Sequence, residues 1–293
     1  MLDQAEELRR LAETQKNRIL TNKINNKPKT VIITVTSGKG GVGKSNFVVN
    51  MAICLQKMKK KVLIFDADIG MGNDDVLMGF LPKYSVYDVI FENKSLEDVI
   101  IRGPFGIKLL PGGTGFPRFN EVSKKQRDDF IDKLSKIEGF DYIIIDTGAG
   151  INKIVMGFIA CCEELFIITT PEPTSLTDAY SLIKAVNYFN IKEKANVIVN
   201  RVTSIKEGEN TFNKFNKVVH KFLNISLNYL GYILEDKKIT QAVKNQVPFV
   251  INYPTSYASK NVNYMAQKLL GAENIKKQNG IQDLFKKIFD IFS

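Results

Sequence analysis

The sequence has one histidine and three cysteines among 293 residues, and both shortages exclude kinds of chemistry. His220 lies between Val219 and Lys221 in a polar segment typical of a surface helix, so a mechanism that needs a histidine base is not expected. The odd number of cysteines, all in apolar segments, predicts reduced core residues of a cytosolic protein rather than a disulfide framework.

The sequence also has no long apolar run and does not begin with a basic segment followed by an apolar one. No stretch approaches the roughly 18–20 apolar residues of a membrane-spanning helix. The first residues include Asp3, Glu6 and Glu7, which a secretory signal would not carry. Ordinary contents of 44% hydrophobic and 25% charged residues predict one large α/β domain with short extensions. The net charge of +10 admits an anionic partner (nucleotide, anionic lipid or nucleic acid) without choosing among them.

The most informative stretch is a glycine-rich loop between a predicted strand at 31–36 and a helical pattern that follows it. Its residues are Gly38, Lys39, Gly40, Gly41, Val42, Gly43, Lys44 and Ser45, followed by Asn46. In a phosphate loop, backbone N–H groups and the start of the helix face the phosphates, the lysine reaches the β- and γ-phosphates, and the serine ligates Mg²⁺. The alternative is a glycine-rich turn that only packs a strand on a helix.

With Lys39 included, this loop resembles the deviant Walker A motif of the MinD/ParA family of dimerising ATPases. The resemblance implies ATP or ADP with Mg²⁺ as ligands, and a homodimer when ATP is bound. It also implies that Lys39 reaches across the dimer interface to the nucleotide of the partner, which would make Lys39 and Lys44 catalytic. The alternative for Lys39 is an ordinary solvated loop lysine.

Two further predicted strands end in carboxylates. Asp66 ends the strand at 61–66 and Asp68 comes soon after it, and Asp146 ends the strand at 141–146. Ligands bind at this edge of open α/β sheets. The family resemblance implies that Asp68 orients the attacking water, that Asp66 and Asp146 belong with Ser45 to the Mg²⁺ site, and that residues 147–150 form a switch over the γ-phosphate. Asp66 and Asp68 could instead be a helix cap and a turn residue. Asp74 departs from the apolar residue expected in the family.

Strands and helices alternate through the rest of residues 30–270, which predicts a doubly wound, mostly parallel sheet with helices on both faces. Within it, the resemblance assigns adenine recognition to Asn200 and Arg201. An asparagine amide offers a donor and an acceptor together, which suits the edge of adenine.

Residues 1–17 form a short amphipathic segment, followed by a polar linker at 18–29. Asp3, Gln4, Ala5, Leu8 and Arg9 resemble the N-terminal signature of the FlhG group of flagellar-number regulators within the MinD/ParA family. In that group the segment engages an FlhF-type GTPase and stimulates it. The alternative is a helical cap on the core.

After a predicted linker at 271–280, residues 281–293 have an amphipathic helical pattern, with Lys286 and Lys287 towards the polar side. The pattern resembles a membrane-targeting helix, whose membrane residues would be Leu284, Phe285, Ile288, Phe289 and Phe292. The alternative is a last helix docked on the core.

Together with these features, the family resemblance implies a membrane-associated ATPase, slow and partner-stimulated, on the inner face of the cell membrane. It would regulate the number or placement of flagella with an FlhF-type GTPase and, as further candidates, basal-body components. The alternatives are a ParA-like partition ATPase and a cell-division MinD; the tail and the N-terminal signature argue against DNA as a partner. Iron–sulfur carriers of the same fold need spaced cysteines, which adjacent Cys161 and Cys162 do not supply. Related tyrosine kinases carry a tyrosine-rich tail, and this tail has no tyrosine.

Overall fold

The computed structural model describes residues 30–68, 72–113, 122–135, 137, 139–271 and 280–292. Eight strands in this part of the chain form one sheet in the order β3-β4-β2-β5-β1-β6-β7-β8. β3 is antiparallel to β4, and all other neighbours are parallel. The strands are β1 Val31–Thr36, β2 Val62–Ala67, β3 Ile101–Arg102, β4 Lys108–Pro111, β5 Tyr142–Thr147, β6 Glu164–Thr169, β7 Lys194–Val202 and β8 Ser226–Leu234.

Helices connect the strands and cover both faces of the sheet. They are α1 Lys44–Lys57, α2 Asp74–Leu77, α3 Val86–Phe91, α4 Leu96–Val99, α5 Lys124–Ser135, α6 Lys153–Cys161, α7 Pro173–Tyr188, α8 Ile205–Phe222, α9 Lys237–Lys244, α10 Phe249–Asn252, α11 Tyr257–Gly271 and α12 Ile281–Phe292, with a 3₁₀ turn at Pro104–Gly106. This architecture confirms the predicted doubly wound α/β fold.

Successive strand residues contribute to two separate cores, because neighbouring side chains of a strand point to opposite faces of the sheet. Ile32 belongs to the core under α5 to α8 and α12, whereas Ile33 belongs to the core under α1, α10 and α11. Burial on both faces explains why the central strands are continuous apolar runs.

The carboxyl ends of β1, β2 and β5 lie at one edge of the sheet, where the residues that follow these strands come close together. β1 lies in the middle, with β5 and β6 as its neighbours, and β2 lies on the far side of β5. The chain therefore leaves β1 in one direction towards β2 and later returns to the other side of β1 through β6. Such a reversal opens a crevice at the carboxyl ends of the strands, where ligands bind in this kind of sheet.

The C-terminal helix α12 exists as the sequence predicts, but its apolar face is buried in the domain. Ile281, Leu284, Phe285, Ile288 and Phe289 are at most 4% exposed. The ring of Phe285 lies 5.2 Å from Phe65 of β2 and 4.9 Å from Phe130 of α5, measured between ring centroids. The helix packs against α5 and α6 and completes the layer on that face of the sheet.

The membrane-binding role of Leu284, Phe285, Ile288 and Phe289 stays a prediction, and it would require α12 to leave its place in the domain. In this structure they are core residues, as in the docked-helix alternative, because burial against Phe65 and Phe130 removes the same apolar surface that a lipid interface would cover. Lys287 is also only partly exposed and faces Glu163, whereas Lys286 is exposed.

The predicted partner-binding residues Asp3, Gln4, Ala5, Leu8 and Arg9, the linker at 18–29, the segment 272–279 and the side chain of Phe292 lie outside the described residues. Among the helices that are described, none is both long enough and apolar enough to cross a bilayer.

Candidate nucleotide-binding site

The glycine-rich loop joins the end of β1 to the first turn of α1, as a phosphate loop requires. Gly43 caps α1 in the left-handed region, with φ of 92°, and its carbonyl accepts the first helical hydrogen bond from Phe47. A Cβ atom on Gly43 would lie 2.3 Å from Asn200 Nδ2, so both the backbone conformation and the space demand glycine. Ser45 and Asn46 follow in the first turn of α1, and both are half-buried.

Asn200 and Arg201 support the loop directly. Asn200 Nδ2 donates to the carbonyl of Val42 at 2.7 Å, and the guanidinium of Arg201 donates to the carbonyl of Gly41 at 2.8 Å. Asn200 Oδ1 also accepts from the backbone N–H of Arg201. The side-chain amide of Asn200 therefore has one N–H and one lone pair left that an adenine base could use. In this structure the amide holds the phosphate loop in place.

Lys44 lies in a pocket of carboxylates. Its Nζ is 2.7 Å from Asp146 Oδ1 and 4.0 Å from Asp68 Oδ2. Burial alone would lower the pKa of Lys44, but the charge and hydrogen bond of Asp146, with Asp68 and Asp74 beyond it, raise the pKa overall. Gly148 leaves room for Asp68, since a Cβ there would lie 3.1 Å from Asp68 Oδ1.

Asp66 stands beside Asp146 in the register of β2 and β5. Burial and the neighbouring Asp146 charge raise the pKa of Asp66 to about 7, although backbone N–H groups of Asp68 and Asp74 donate to its carboxylate. Burial also raises the pKa of Asp68, and Asp146 adds to this while Lys44 opposes it. Several carboxylates therefore surround one lysine. Such a site can bind a cation and a phosphate group at the same time.

The residues at hand fit a magnesium ion that is shared with a nucleotide. Ser45, Asp66 and Asp146 supply the oxygen ligands that Mg²⁺ prefers, directly or through water. Within the described ranges, no three His, Cys, Asp or Glu side chains are set to hold a metal ion by themselves. Phosphate oxygens would therefore have to complete the coordination.

Lys39 points to the surface rather than into this pocket. Its Nζ is 3.1 Å from Glu172 Oε2 and 3.0 Å from Thr174 Oγ1, in the loop and first turn of α7 after β6. Lys39 and Glu172 are 40% and 57% exposed. A pair this exposed contributes about 0–1 kcal/mol, so the lysine can leave it at little cost.

Comparisons with known proteins agree with this geometry. A protein family described as "AAA domain" matches residues 30–199. The antiactivator FleN of Pseudomonas aeruginosa is 38% identical over 239 residues, which are 81% of this chain and 85% of FleN. The chain belongs to the MinD/ParA family of P-loop ATPases. The flagellum site-determining protein YlxH of Helicobacter pylori is 34% identical over 270 residues, 90% of this chain and 91% of YlxH.

Among solved structures, the septum site-determining protein MinD of Pyrococcus horikoshii, complexed with Mg-ADP, superimposes with a TM-score of 0.66 at 26% identity. The match covers 84% of this chain and 98% of that MinD. The predicted family and the predicted fold are therefore confirmed. In this MinD of the same fold, the bound ligand is Mg-ADP.

The structure thus brings Lys44, Asp66, Asp68 and Asp146 together, with Asn200 and Arg201 against the same loop. The sequence pattern assigns no role to three residues of this region. Glu172 and Thr174 stand in a segment that matches the family, but nothing in that match indicated contact with Lys39. In the sequence Asp74 stands out only as a departure from the family pattern; in the structure it is completely buried beside the carboxylates.

Proposed function

We propose that this chain is an ATP-dependent switch that dimerises with ATP and Mg²⁺ bound, attaches to the inner face of the cell membrane, and regulates the number or placement of flagella. The observation that carries the proposal is the buried pair of Lys44 and Asp146 under a complete phosphate loop whose extra lysine, Lys39, is at the surface. Family membership supports the ATPase part, and the name of one relative, the flagellum site-determining protein YlxH, supports the flagellar part.

In the proposed reaction, water attacks the γ-phosphorus, the bond to the β-phosphate oxygen breaks, and ADP and phosphate leave. Lys44 would exchange Asp146 for the phosphate oxygens, and Asp68 would orient the water. Ser45, Asp66 and Asp146 would hold Mg²⁺, which supplies positive charge to the phosphates. Asn200 and Arg201 would fix the loop and lie next to the adenine.

Dimerisation would complete the site, because Lys39 lies outside its own pocket. In an ATP dimer, Lys39 would release Glu172 and Thr174 and contact the nucleotide of the partner copy. A site that is complete only in a dimer would turn over slowly in the monomer and respond to partners that favour the dimer.

Membrane attachment would require α12 to leave its place against α5 and α6. Each fully buried apolar side chain of α12 contributes about 1.5–3 kcal/mol to docking, so undocking has to be driven. A chain of contacts joins the phosphate loop to α12, and nucleotide binding would act on α12 through it. Gly150 of the switch loop donates to the carbonyl of Ser37, and α6, capped by Asn152, starts directly after that loop. On its buried side, α6 shares the core of Phe65 and Phe285 through Phe158.

Once free, two tails side by side in a dimer would bind with avidity, because the second insertion becomes intramolecular. Lys286 is already exposed, and Lys287 would become available to anionic headgroups when it leaves Glu163. A single tail would bind only weakly and reversibly, because ordering it on the membrane consumes part of the gain.

The flagellar part can be tested in a flagellated bacterium that encodes this chain. Deleting the gene should change the number or position of flagella, and the wild-type gene should restore them, whereas Lys44→Ala should not. A peptide of residues 1–20 should bind the FlhF-type GTPase of the same cell and raise its GTP hydrolysis. Normal flagella after deletion would overturn the flagellar role and leave the nucleotide chemistry untouched.

A further inference from the structure

Asp74 is a buried carboxylate at the edge of the candidate site. It is the first residue of the short helix α2, and its side chain is completely buried. Both carboxylate oxygens lack a hydrogen-bond partner among the described residues. The charges that act on it are those of Asp146, Asp66, Lys44 and Asp75.

Neither packing nor helix capping explains an acid in this position. An apolar residue would suit complete burial better, because a buried carboxylate without a partner costs several kcal/mol. A capping role would place an oxygen on a backbone N–H, and neither oxygen has such a partner in the described part of the chain. Among the described residues, Asp146 Oδ2 is also buried without a partner, and the charge of Asp146 acts on Asp74, so two interacting carboxylates offer unused oxygens.

The nearby lysine does not compensate for Asp74. Lys44 is engaged with Asp146 at 2.7 Å, and in the proposed function it turns to the phosphates when a nucleotide binds. That movement would leave Asp66, Asp74 and Asp146 facing phosphate oxygens with less positive charge among them. A divalent cation is the ligand that satisfies unpaired carboxylates and phosphates at once.

We propose that Asp74 is a further carboxylate of the magnesium site, accepting a hydrogen bond from water bound to Mg²⁺, and that it makes nucleotide binding depend more strongly on the metal. Mg²⁺ usually keeps several waters beside one or two carboxylates and phosphates, so a buried acid in the outer shell fits its chemistry. The inference rests on the nucleotide-binding part of the proposed function and is independent of its membrane and flagellar parts.

The test uses Mn²⁺ as the probe metal with the full-length protein and ADP. Free Mn²⁺ is counted by electron paramagnetic resonance during a titration, and ADP affinity is measured separately with and without metal. Asp74→Asn and Asp74→Leu should weaken Mn²⁺ binding in the ADP complex roughly 10- to 100-fold, the usual effect of losing an outer-shell partner. ADP affinity without metal should not decrease, because neither variant alters the phosphate loop or Lys44. Asp129→Asn removes a charge from the exposed face of α5 and should change neither value.

Unchanged Mn²⁺ affinity in both Asp74 variants would overturn the inference. Loss of folding in both variants, judged by thermal melting, would also contradict it, because the fold itself would then need the buried acid. A wild-type protein that binds no nucleotide under any condition would instead contradict the proposed function. A wild type that binds Mn²⁺ and ADP, with variants that bind them equally well, would contradict the role of Asp74 alone.

Discussion

The ammonium of Lys44 and the carboxylate of Asp146 form a buried ion pair, 2.7 Å apart, at the point where β5 passes the phosphate loop. Both side chains are at most 7% exposed. Because the same two residues are proposed to receive phosphate and magnesium, the pair links the stability of the domain to its ligands. In this structure the charge of Lys44 is balanced by the protein itself.

Lys44→Met should therefore affect stability as well as binding. Breaking a buried pair by removing one partner leaves an uncompensated charge and typically costs about 3–5 kcal/mol. Chemical denaturation should show this loss, and ATP binding should be abolished. Adding Asp146→Asn to the same chain should recover part of the stability without restoring ATP binding. An undiminished free energy of unfolding in Lys44→Met would show that the pair contributes little.

Asp68→Ala should separate binding from hydrolysis. The variant keeps the phosphate loop and Ser45, so ATP and Mg²⁺ should still bind and support the dimer. Hydrolysis should fall by about 10²-fold or more, the usual contribution of a residue that positions the reacting water. Phosphate release and light scattering on the same sample measure the two properties. Wild-type turnover in this variant would remove Asp68 from the mechanism.

Glu163 should make stability depend on pH. Its Oε2 accepts from the backbone N–H of Ile32 at 2.8 Å, and burial raises its pKa to about 7. Between the unfolded pKa of about 4.5 and that value, the folded protein holds more protons than the unfolded chain, so stability falls as pH rises.

Glu163→Gln keeps an acceptor for Ile32 but cannot ionise. Urea denaturation between pH 5 and 7 should therefore show a flatter decline in this variant than in the wild type. Glu92→Gln, at an exposed position, should leave the slope unchanged. Parallel curves for wild type and Glu163→Gln would mean that Glu163 has no such shift.

Phe130 offers a way to release the tail without changing it. Its ring meets Phe285 and Phe289 edge-on, with centroids 4.9 and 5.9 Å away. Phe130→Ala should weaken docking, since deleting a buried phenylalanine ring costs about 3–5 kcal/mol in total. We expect co-sedimentation with anionic vesicles to increase, and to become less dependent on ATP over ADP.

Two matched variants make that result interpretable. Phe212→Ala removes a buried ring of α8 that stacks on Tyr229 rather than on α12. This variant should therefore not increase vesicle binding. A chain that ends after Gly280 should lose vesicle binding, also in combination with Phe130→Ala. Vesicle binding that survives this truncation would show that α12 is only a core helix.

The sequence was most informative where function depends on local backbone pattern. The spacing of Gly43, Lys44 and Ser45 after a strand defines a phosphate loop without any distant contact. Asp66 and Asp146 were predictable because carboxylates that end parallel strands meet at one edge of the sheet. The helix at α12 was predictable, but its partner was not, since an amphipathic face has the same pattern whether lipid or Phe65 and Phe130 cover it.

Other features depend on distances that no pattern contains. Asp74 is completely buried and Asp75 only partly, and this difference between two adjacent carboxylates depends on how α2 packs on the domain. The contact of Lys39 with Glu172 joins residues 133 positions apart, across the ends of β1 and β6.

In the proposed function, ATP turns this chain into a dimer through Lys39. Multi-angle light scattering on wild type and Lys39→Ala, each with Mg²⁺ and a non-hydrolysable ATP analogue, tests it most directly, with the exposed-site variant Lys184→Ala as control. We expect the wild type and Lys184→Ala to shift from 33.0 kDa to twice that mass, while Lys39→Ala binds the analogue and stays at 33.0 kDa. A Lys39→Ala dimer of unchanged affinity, or a wild type that stays monomeric with the analogue bound, would contradict it.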